Sequence, residues 1–551
     1  MKNRLNRIDI WTYVTILGYF IVFALLVFPL FNILKSSFID NETNQFTLLN
    51  YETILGTAYY RRAITNSLLV SFGGTFGALL LGVPLAYLVT RYKIWGTPFI
   101  SSLAVLAMVS PPFVGAYSWI IMLGRSGTVR EYLSMIGIDF PTIYGPLGII
   151  LVFSLQFYPF VFILTSSGLS TVNRSLEEAA KNLGSNSMQK FFKVTLPLVI
   201  PSMSAGALIV FMLCISRFGT PMLIGGRFKV LAVMAYDFYT SEVGENLGMA
   251  STMSVFLIII SCAVLFLQRY VATRRKYTSN LIKKPIVVRP KGLKKGFILL
   301  VCWGTVSLST LPLMIVVAFS FRKADGPVFH PGFGLQSYRR IIPDLSVAVS
   351  NSFVFAITAI ILVILIGTLL GFVLARHKSP VTSGLDPLLM LPYIMPGTVM
   401  GIGFASAFND EPIFLLGTMT IIIMAYFIRR LPYSVRSSVS VLEQIKPSMD
   451  EAAINLGANP SRAFYKVTLP MMMPGVISGG ILAFVTSINE LSASFVLYVG
   501  KTITMPVKIY LSVLDGDFGT GSALSTILIL ITGTAVFSIY MISKNGTDSF
   551  V

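Results

Sequence analysis

Charge is what this sequence has least of. Asp, Glu, Lys and Arg make up 12% of its 551 residues, about half the share found in soluble globular domains. Apolar residues make up 54%, and several runs reach the roughly 20 residues that cross a bilayer. A soluble multidomain protein is thereby excluded. Histidine is nearly absent: His330 lies in an expected outer turn, Phe329-His330-Pro331, and is read as structural, and His377 lies in a basic inner loop and is read as solvated. The three cysteines, Cys214, Cys262 and Cys302, sit in or beside apolar runs, with neither metal-ligand spacing nor a disulfide framework. A phosphate-binding G-x-x-x-x-G-K-[ST] loop is missing too. Gly500-Lys501-Thr502 comes nearest, but Phe495 stands where its first glycine belongs,. No residue is therefore assigned as catalytic, as a metal ligand or as cofactor-binding.

The charge that is present is lopsided, with a net of +19. Lys and Arg gather in loops kept on the cytosolic side of a membrane, so nucleic acid is not an expected partner. The segment from Arg269 to Lys295 holds ten basic residues and no acidic one; besides fixing topology it is able to attract anionic lipid. The apolar run Trp11 to Leu34 follows Lys2, Arg4 and Arg7. It is too long for a signal-peptide core and is read as a retained first span.

Twelve apolar segments are expected to span the membrane, near 12–34, 64–90, 98–123, 143–169, 198–216, 248–268, 297–320, 348–375, 385–407, 414–437, 475–495 and 520–542. With both termini cytosolic, Arg91, Lys93, Arg376, Lys378, Arg429, Arg430 and Lys544 fall in inner connections, as the positive-inside rule asks. The second six segments repeat the first. Asn66-Ser67, Gly82, Arg91 and Pro111 recur 285 positions later as Asn351-Ser352, Gly367, Arg376 and Pro396. Beyond the third span the offset falls to 273, which leaves the first half 12 residues longer around Gly124 to Tyr144. Equal orientation of the halves makes this a parallel repeat. The fold class is all-α polytopic, with about 12 transmembrane helices in two six-helix repeats, 1–275 and 297–551, joined by a basic cytosolic linker at 276–296.

The sharpest repeat is polar. Residues 177–197 read EEAAKNLGSNSMQKFFKVTLP and residues 450–470 read DEAAINLGANPSRAFYKVTLP, identical at 13 of 21 positions. Ser175-Leu-Glu-Glu178 and Ser448-Met-Asp-Glu451 have capping-box spacing. Glu177, Glu178, Asp450 and Glu451 suit the positive end of a helix. Gly184 and Gly457 are placed to end that helix in the left-handed conformation. Asn459-Pro460, and more loosely Asn186-Ser187, start a second helix, which Pro197 and Pro470 are expected to end. Two helix–turn–helix units, 173–197 and 446–470, would project from the membrane as docking surfaces.

EAA, then Gly, then LP at this spacing resembles the loop of ABC-importer permeases of the type I fold, and the likeness extends over nearly the whole chain. It implies a coupling helix in each half. Glu178, Ala179, Ala180 and Gly184, with Glu451, Ala452, Ala453 and Gly457, would contact two cytosolic ABC ATPase subunits, which use ATP and Mg. This chain would bind no cofactor itself. A single extracytoplasmic solute-binding protein would deliver the solute, in the cell membrane of a prokaryote. Phe218-Gly-Thr-Pro221, Glu490-Leu-Ser-Ala-Ser494 and Asp515-Gly-Asp-Phe-Gly519 are similar to fused permeases of the iron(III) importer group. Relatives with the same layout are associated with phosphonates, hexose phosphates, thiamine and polyamines.

A translocation path belongs at the interface of the two halves. Arg217 and Glu490 occupy equivalent positions at the outer end of each fifth span. They could pair across the interface as a gate or line the path, or both could lie at headgroup level. An ion-coupled carrier with six-plus-six topology would share the span count. It would not account for the duplicated loop, and it would call for a buried titratable relay. A membrane enzyme lacks any clustered chemistry.

Overall fold

The computed structural model describes residues 10–40, 43–125, 127–138, 142–240, 246–274, 287–409, 411 and 413–545. Among them the chain is helical almost throughout; the one sheet is an antiparallel hairpin, Arg322–Asp325 with Val328–Phe333, on the outer side as the sequence orients it. Nine helices among the described residues are long and apolar enough to cross a membrane, and two bent pairs raise the count to as many as 11. The remaining expected segment, 414–437, is the 26-residue helix Met419–Gln444. Arg429, Arg430 and Arg436 set it apart from the apolar eleven.

Two expected spans are not straight. The segments at 98–123 and 385–407 break into Thr97–Met108 with Phe113–Tyr132, bent by 98°, and Pro380–Ile394 with Gly397–Ala407, bent by 106°. The breaks fall at the repeat-related prolines. Ser110 and Met395, which precede Pro111 and Pro396, have ψ of 148° and 131°, because a following proline disfavours the helical conformation. Prolines at three other sites are absorbed instead. The π turns Phe23–Val27, Phe191–Thr195 and Phe464–Thr468 each end two residues before Pro29, Pro197 or Pro470. A proline lacks the amide of the ordinary i→i−4 ladder and crowds the preceding turn, and the wider π turn accommodates it.

In lipid, tight helix contact depends on small residues. Helix Ala58–Arg91 lies against Pro146–Ser170, and a Cβ on Gly82 would come within 2.8 Å of the Tyr158 carbonyl. The second repeat does the same: a Cβ on Gly367 would come within 2.6 Å of Ser434. The first span of each repeat, by contrast, is lodged against the other repeat. Trp11 packs on Phe372 at 4.4 Å and Phe464 at 5.3 Å. From the second repeat, Ser309 bonds Tyr158 at 3.0 Å, and the Pro312 carbonyl accepts from Ser118 Oγ at 2.7 Å. This exchange clasps the halves together. It also stacks His377 on Trp11 at 5.5 Å, so the expectation of a merely solvated imidazole is corrected. His330 is exposed on the hairpin.

The basic linker expected at 276–296 lies outside the described residues as far as 286. Its last part is pinned to the end of the second span: Val288 donates to the Arg91 carbonyl at 2.9 Å, and Lys93 donates to that of Val288 at 3.0 Å. The following helix already starts at Gly292.

Candidate docking loops and charged path

Each polar loop opens with a short helix, Arg174–Asn182 or Ser448–Asn455. The expected capping boxes do not form, because both serines lie inside the first turn, where a hydroxyl cannot cap. Asn173 caps the first helix, accepting from the Ser175 amide at 3.1 Å; the second follows Pro447 without a side-chain cap. The glycines behave as expected. Gly184 has φ +83° and Gly457 φ +92°. Ser185 and Ala458 donate back to the carbonyls of Ala180 and Ala453, both at 3.0 Å, completing a Schellman motif in each copy.

The second helices are started by Asn186 and Asn459, which accept from the amides of Gln189 and Arg462, both at 2.8 Å. In the first copy Gln189 Oε1 also accepts from the Asn186 amide at 3.1 Å, so a reciprocal box exists one helix later than expected. Pro197 and Pro470 do not end these units. The helices run on through the π turns as Met188–Ser216 and Pro460–Ile488, which ties each loop rigidly to its fifth span.

The acid before each EAA motif faces inward, onto the second span. Glu177 Oε1 lies 2.6 Å from Arg91 Nη2, with side-chain exposures of 9% and 7%, and accepts from Thr195 Oγ1 at 3.1 Å. The second copy rebuilds this triad. Asp450 Oδ2 lies 3.2 Å from Arg376 Nε, with exposures of 16% and 13%, and Thr468 Oγ1 donates to Asp450 Oδ1. Arg376 Nη2 also donates to the Ile445 carbonyl at 2.7 Å. All six residues stand at repeat-related positions. Sequence reading noted the matching arginines and the acids separately; it missed their pairing because they are 86 and 74 residues apart along the chain.

The outward face carries the expected contact residues only in part. Ala179, Gly184, Glu451, Ala452 and Gly457 are exposed, and Glu178 and Ala453 are half-buried. Ala180 is buried, so it supports the helix from beneath. The most prominent side chains were not anticipated: Leu183 is 86% exposed and Leu456 90%. Both sit at the helix C-cap, held out by the glycine turn. The repeated Leu-Gly pair was the available signal. A bare leucine at the tip of each polar loop gives an apolar partner something to cover.

The second candidate site lies between the halves. The proposed direct pair of Arg217 and Glu490 is not formed. Glu490 is taken by its own repeat: its Oε2 lies 2.5 Å from both Arg429 Nη1 and Arg430 Nη2. Arg430 also donates to the Thr486 carbonyl at 2.8 Å, and Glu490 Oε1 accepts from the Ala493 amide at 3.2 Å. These arginines were expected in a cytosolic connection. They lie instead in the middle of helix Met419–Gln444, where a buried carboxylate requires them. Arg217 caps the Phe157 ring at 5.3 Å. Directly beyond it, Phe218, Tyr236, Phe495 and Tyr510 form an aromatic layer joining both repeats, with Phe218 to Phe495 at 5.6 Å and Tyr236 to Phe495 at 5.1 Å. The arrangement can close the path on one side and hold charge on the other. Among the described residues no three His, Cys, Asp or Glu side chains are grouped to hold a metal ion.

Comparison with known proteins agrees with this layout. The profile of the family described as "binding-protein-dependent transport system inner membrane component" matches twice, at residues 78–277 and 367–542. The ferric transport system permease protein FbpB of Actinobacillus pleuropneumoniae is 29% identical over 93% of this chain and 75% of its own length. A putative ferric transport system permease protein, FbpB 1 of Haemophilus influenzae, is 29% identical over 88% and 77%. Among solved structures, a chain of a bacterial alginate ABC transporter in complex with a periplasmic protein superposes on 49% of this chain and 97% of its own length, with a TM-score of 0.39 and 16% identity.

Proposed function

This chain belongs to the family of binding-protein-dependent transport system inner membrane components, and from that premise we propose that it is the permease subunit of an ATP-driven importer of ferric iron. It is a multi-pass membrane protein in which both permease repeats are fused. Two cytosolic ATPase subunits each receive one polar loop, with Leu183 or Leu456 as the apolar anchor and Glu178 or Glu451 beside it. ATP and Mg act in those subunits. One extracytoplasmic binding protein delivers the solute on the opposite side, and both termini face the cytosol of a prokaryotic cell.

The observation that carries the reading is the duplicated loop together with its duplicated strut. Each loop is continuous with a fifth span through the π turn and is ion-paired to a second span. Movement of a docked partner is thereby transmitted to two spans of each half at once. Closure of the ATPase pair on ATP would turn the halves outward, and solute would enter below the aromatic layer when it reforms. Ferric iron as the solute is supported by the naming of the two long relatives. The test is uptake of labelled ferric iron by cells with the gene deleted, restored, or restored with Glu178 and Glu451 both changed to Ala. Uptake should need the gene and fall in the double variant. Uptake indifferent to the gene would refute iron as the cargo.

A further inference from the structure

The charge cluster between the halves is unbalanced, and the imbalance comes from how the repeat has diverged. Gln156, Phe157 and Arg217 of the first repeat correspond, 273 positions on, to Arg429, Arg430 and Glu490 of the second. The second repeat is arranged to neutralise its own glutamate. The first supplies an arginine with no acid of its own. Three guanidinium groups thus share one carboxylate. Arg217 lies within electrostatic reach of Glu490, Arg429 and Arg430, and Tyr393 within reach of Arg217 and Arg430.

The donors are also underused. Nε of Arg217, of Arg429 and of Arg430 each lacks a hydrogen-bond partner. Arg429 Nη1 is close to the glutamate without being aligned for a hydrogen bond. Buried Gln156, which precedes Phe157 on the same helix, has an unbonded side-chain oxygen. Buried positive charge in excess of its partners is costly in a membrane and marks a path or a binding site. The strut arginines Arg91 and Arg376 also leave one donor each unbonded, but each has a carboxylate of its own, whereas here three guanidinium groups share one.

We propose that these arginines form an oxyanion site on the translocation path, so that iron crosses as a negatively charged chelate with carboxylate or phosphate oxygens and not as a bare cation. This rests on the permease reading above. A trivalent cation would be repelled by a cluster with two unbalanced positive charges. An oxygen-sheathed anion finds planar, bidentate donors suited to carboxylate and phosphate. The site lies on the coupling-loop side of the aromatic layer. Phe218 and Tyr510 are fully buried in that layer, while Tyr393, on the arginine side, is 48% exposed. Approach to the cluster from the side of the docking loops does not cross that layer.

The experiment uses proteoliposomes holding this chain with its ATPase and binding protein, the latter loaded with labelled ferric ion as its citrate chelate. Inorganic phosphate is supplied at rising concentration on the docking-loop side. Wild type, Arg217→Gln and Arg217→Lys are compared, with ATP hydrolysis stimulated by the binding protein reporting intact assembly. Phosphate should inhibit wild-type uptake by competing for the cluster. Arg217→Gln should lose about tenfold in uptake, the scale of one charge-assisted hydrogen bond, and what remains should ignore phosphate. Arg217→Lys keeps the charge but lacks the planar fork, so its uptake should fall between wild type and Arg217→Gln, with a weakened phosphate response. Gln-variant uptake at the wild-type rate with unchanged inhibition, or equal failure of the Lys and Gln variants, would overturn the site. Labelled phosphate accumulating without iron would overturn the iron-borne form of the anion. Wild-type vesicles that take up no iron would refute the ferric reading itself, and this inference with it.

Discussion

Removing Arg91 would test whether the inward strut holds the first docking loop in place. Arg91→Ala leaves the Glu177 carboxylate, 9% exposed, with the Thr195 hydroxyl as its remaining hydrogen-bond partner from the triad. Breaking a buried ion pair on one side costs about 3–5 kcal/mol. The loop can escape part of that by swinging Glu177 into water, so the measurable cost is the opening of the loop. A penalty of about 3 kcal/mol corresponds to a more than hundredfold rise in the open population. Amide hydrogen exchange across 177–185, in the intact importer in nanodiscs, should therefore quicken about a hundredfold, with protection of helix Pro146–Ser170 unchanged. Glu177→Gln should have a smaller effect, because an amide still accepts from Thr195. A cycle with the Arg91→Ala, Glu177→Ala double variant should give a coupling of about 2 kcal/mol or more. The Asp450–Arg376 strut is longer and more exposed, so Arg376→Ala should loosen the second loop less. Unchanged exchange at 177–185 in Arg91→Ala, or a cycle with no coupling, would refute the strut.

Three further outcomes follow from the same geometry. Leu183→Asp with Leu456→Asp should weaken ATPase binding about tenfold or more, as loss of central apolar anchors does, while leaving yield and thermal stability of the detergent-solubilised chain unchanged; equal affinity in a pull-down titration would remove the leucines as anchors. Gly184→Val and Gly457→Val force a β-branched residue to positive φ, at a cost of about 1–2 kcal/mol each, so loop exchange should rise locally without loss of membrane insertion. Gly82→Leu places a side chain where a Cβ alone meets the Tyr158 carbonyl at 2.8 Å. It should lower the unfolding temperature and expression, whereas Gly304→Leu, with open space around it, should do neither.

Much of the fold was legible because lipid imposes long apolar runs, and because the repeat showed the same punctuation twice. All twelve expected segments correspond to helices or bent helix pairs. The bends at Pro111 and Pro396 were not foreseen, although both prolines had been matched. A proline alone does not say whether a helix will break, as at these two sites, or widen into a π turn, as before Pro197 and Pro470. Local capping was read correctly where glycine fixes the backbone, at Gly184 and Gly457. It was misread at Ser175 and Ser448, where the true helix start depends on the neighbouring Asn173 and Pro447. The struts and the arginine cluster were illegible for a different reason. Arg91 and Glu177, or Arg430 and Glu490, meet only through packing of separate helices, and sequence spacing holds no record of that. The divergence that set Arg217 apart from Glu490 was visible, but not that Glu490 would be satisfied within its own repeat.

The central claim is that a separate ATPase, docked on two loops, moves this chain. Its most direct test is accumulation of labelled ferric iron in proteoliposomes containing this chain, its ATPase and its binding protein, with ATP present, with ATP absent, and with a proton or sodium gradient alone. The account predicts accumulation with ATP only, abolished when Leu183 and Leu456 are both changed to Asp. Accumulation driven by an ion gradient without ATP, and indifferent to the loop variants, would contradict it and mark the chain as a secondary carrier.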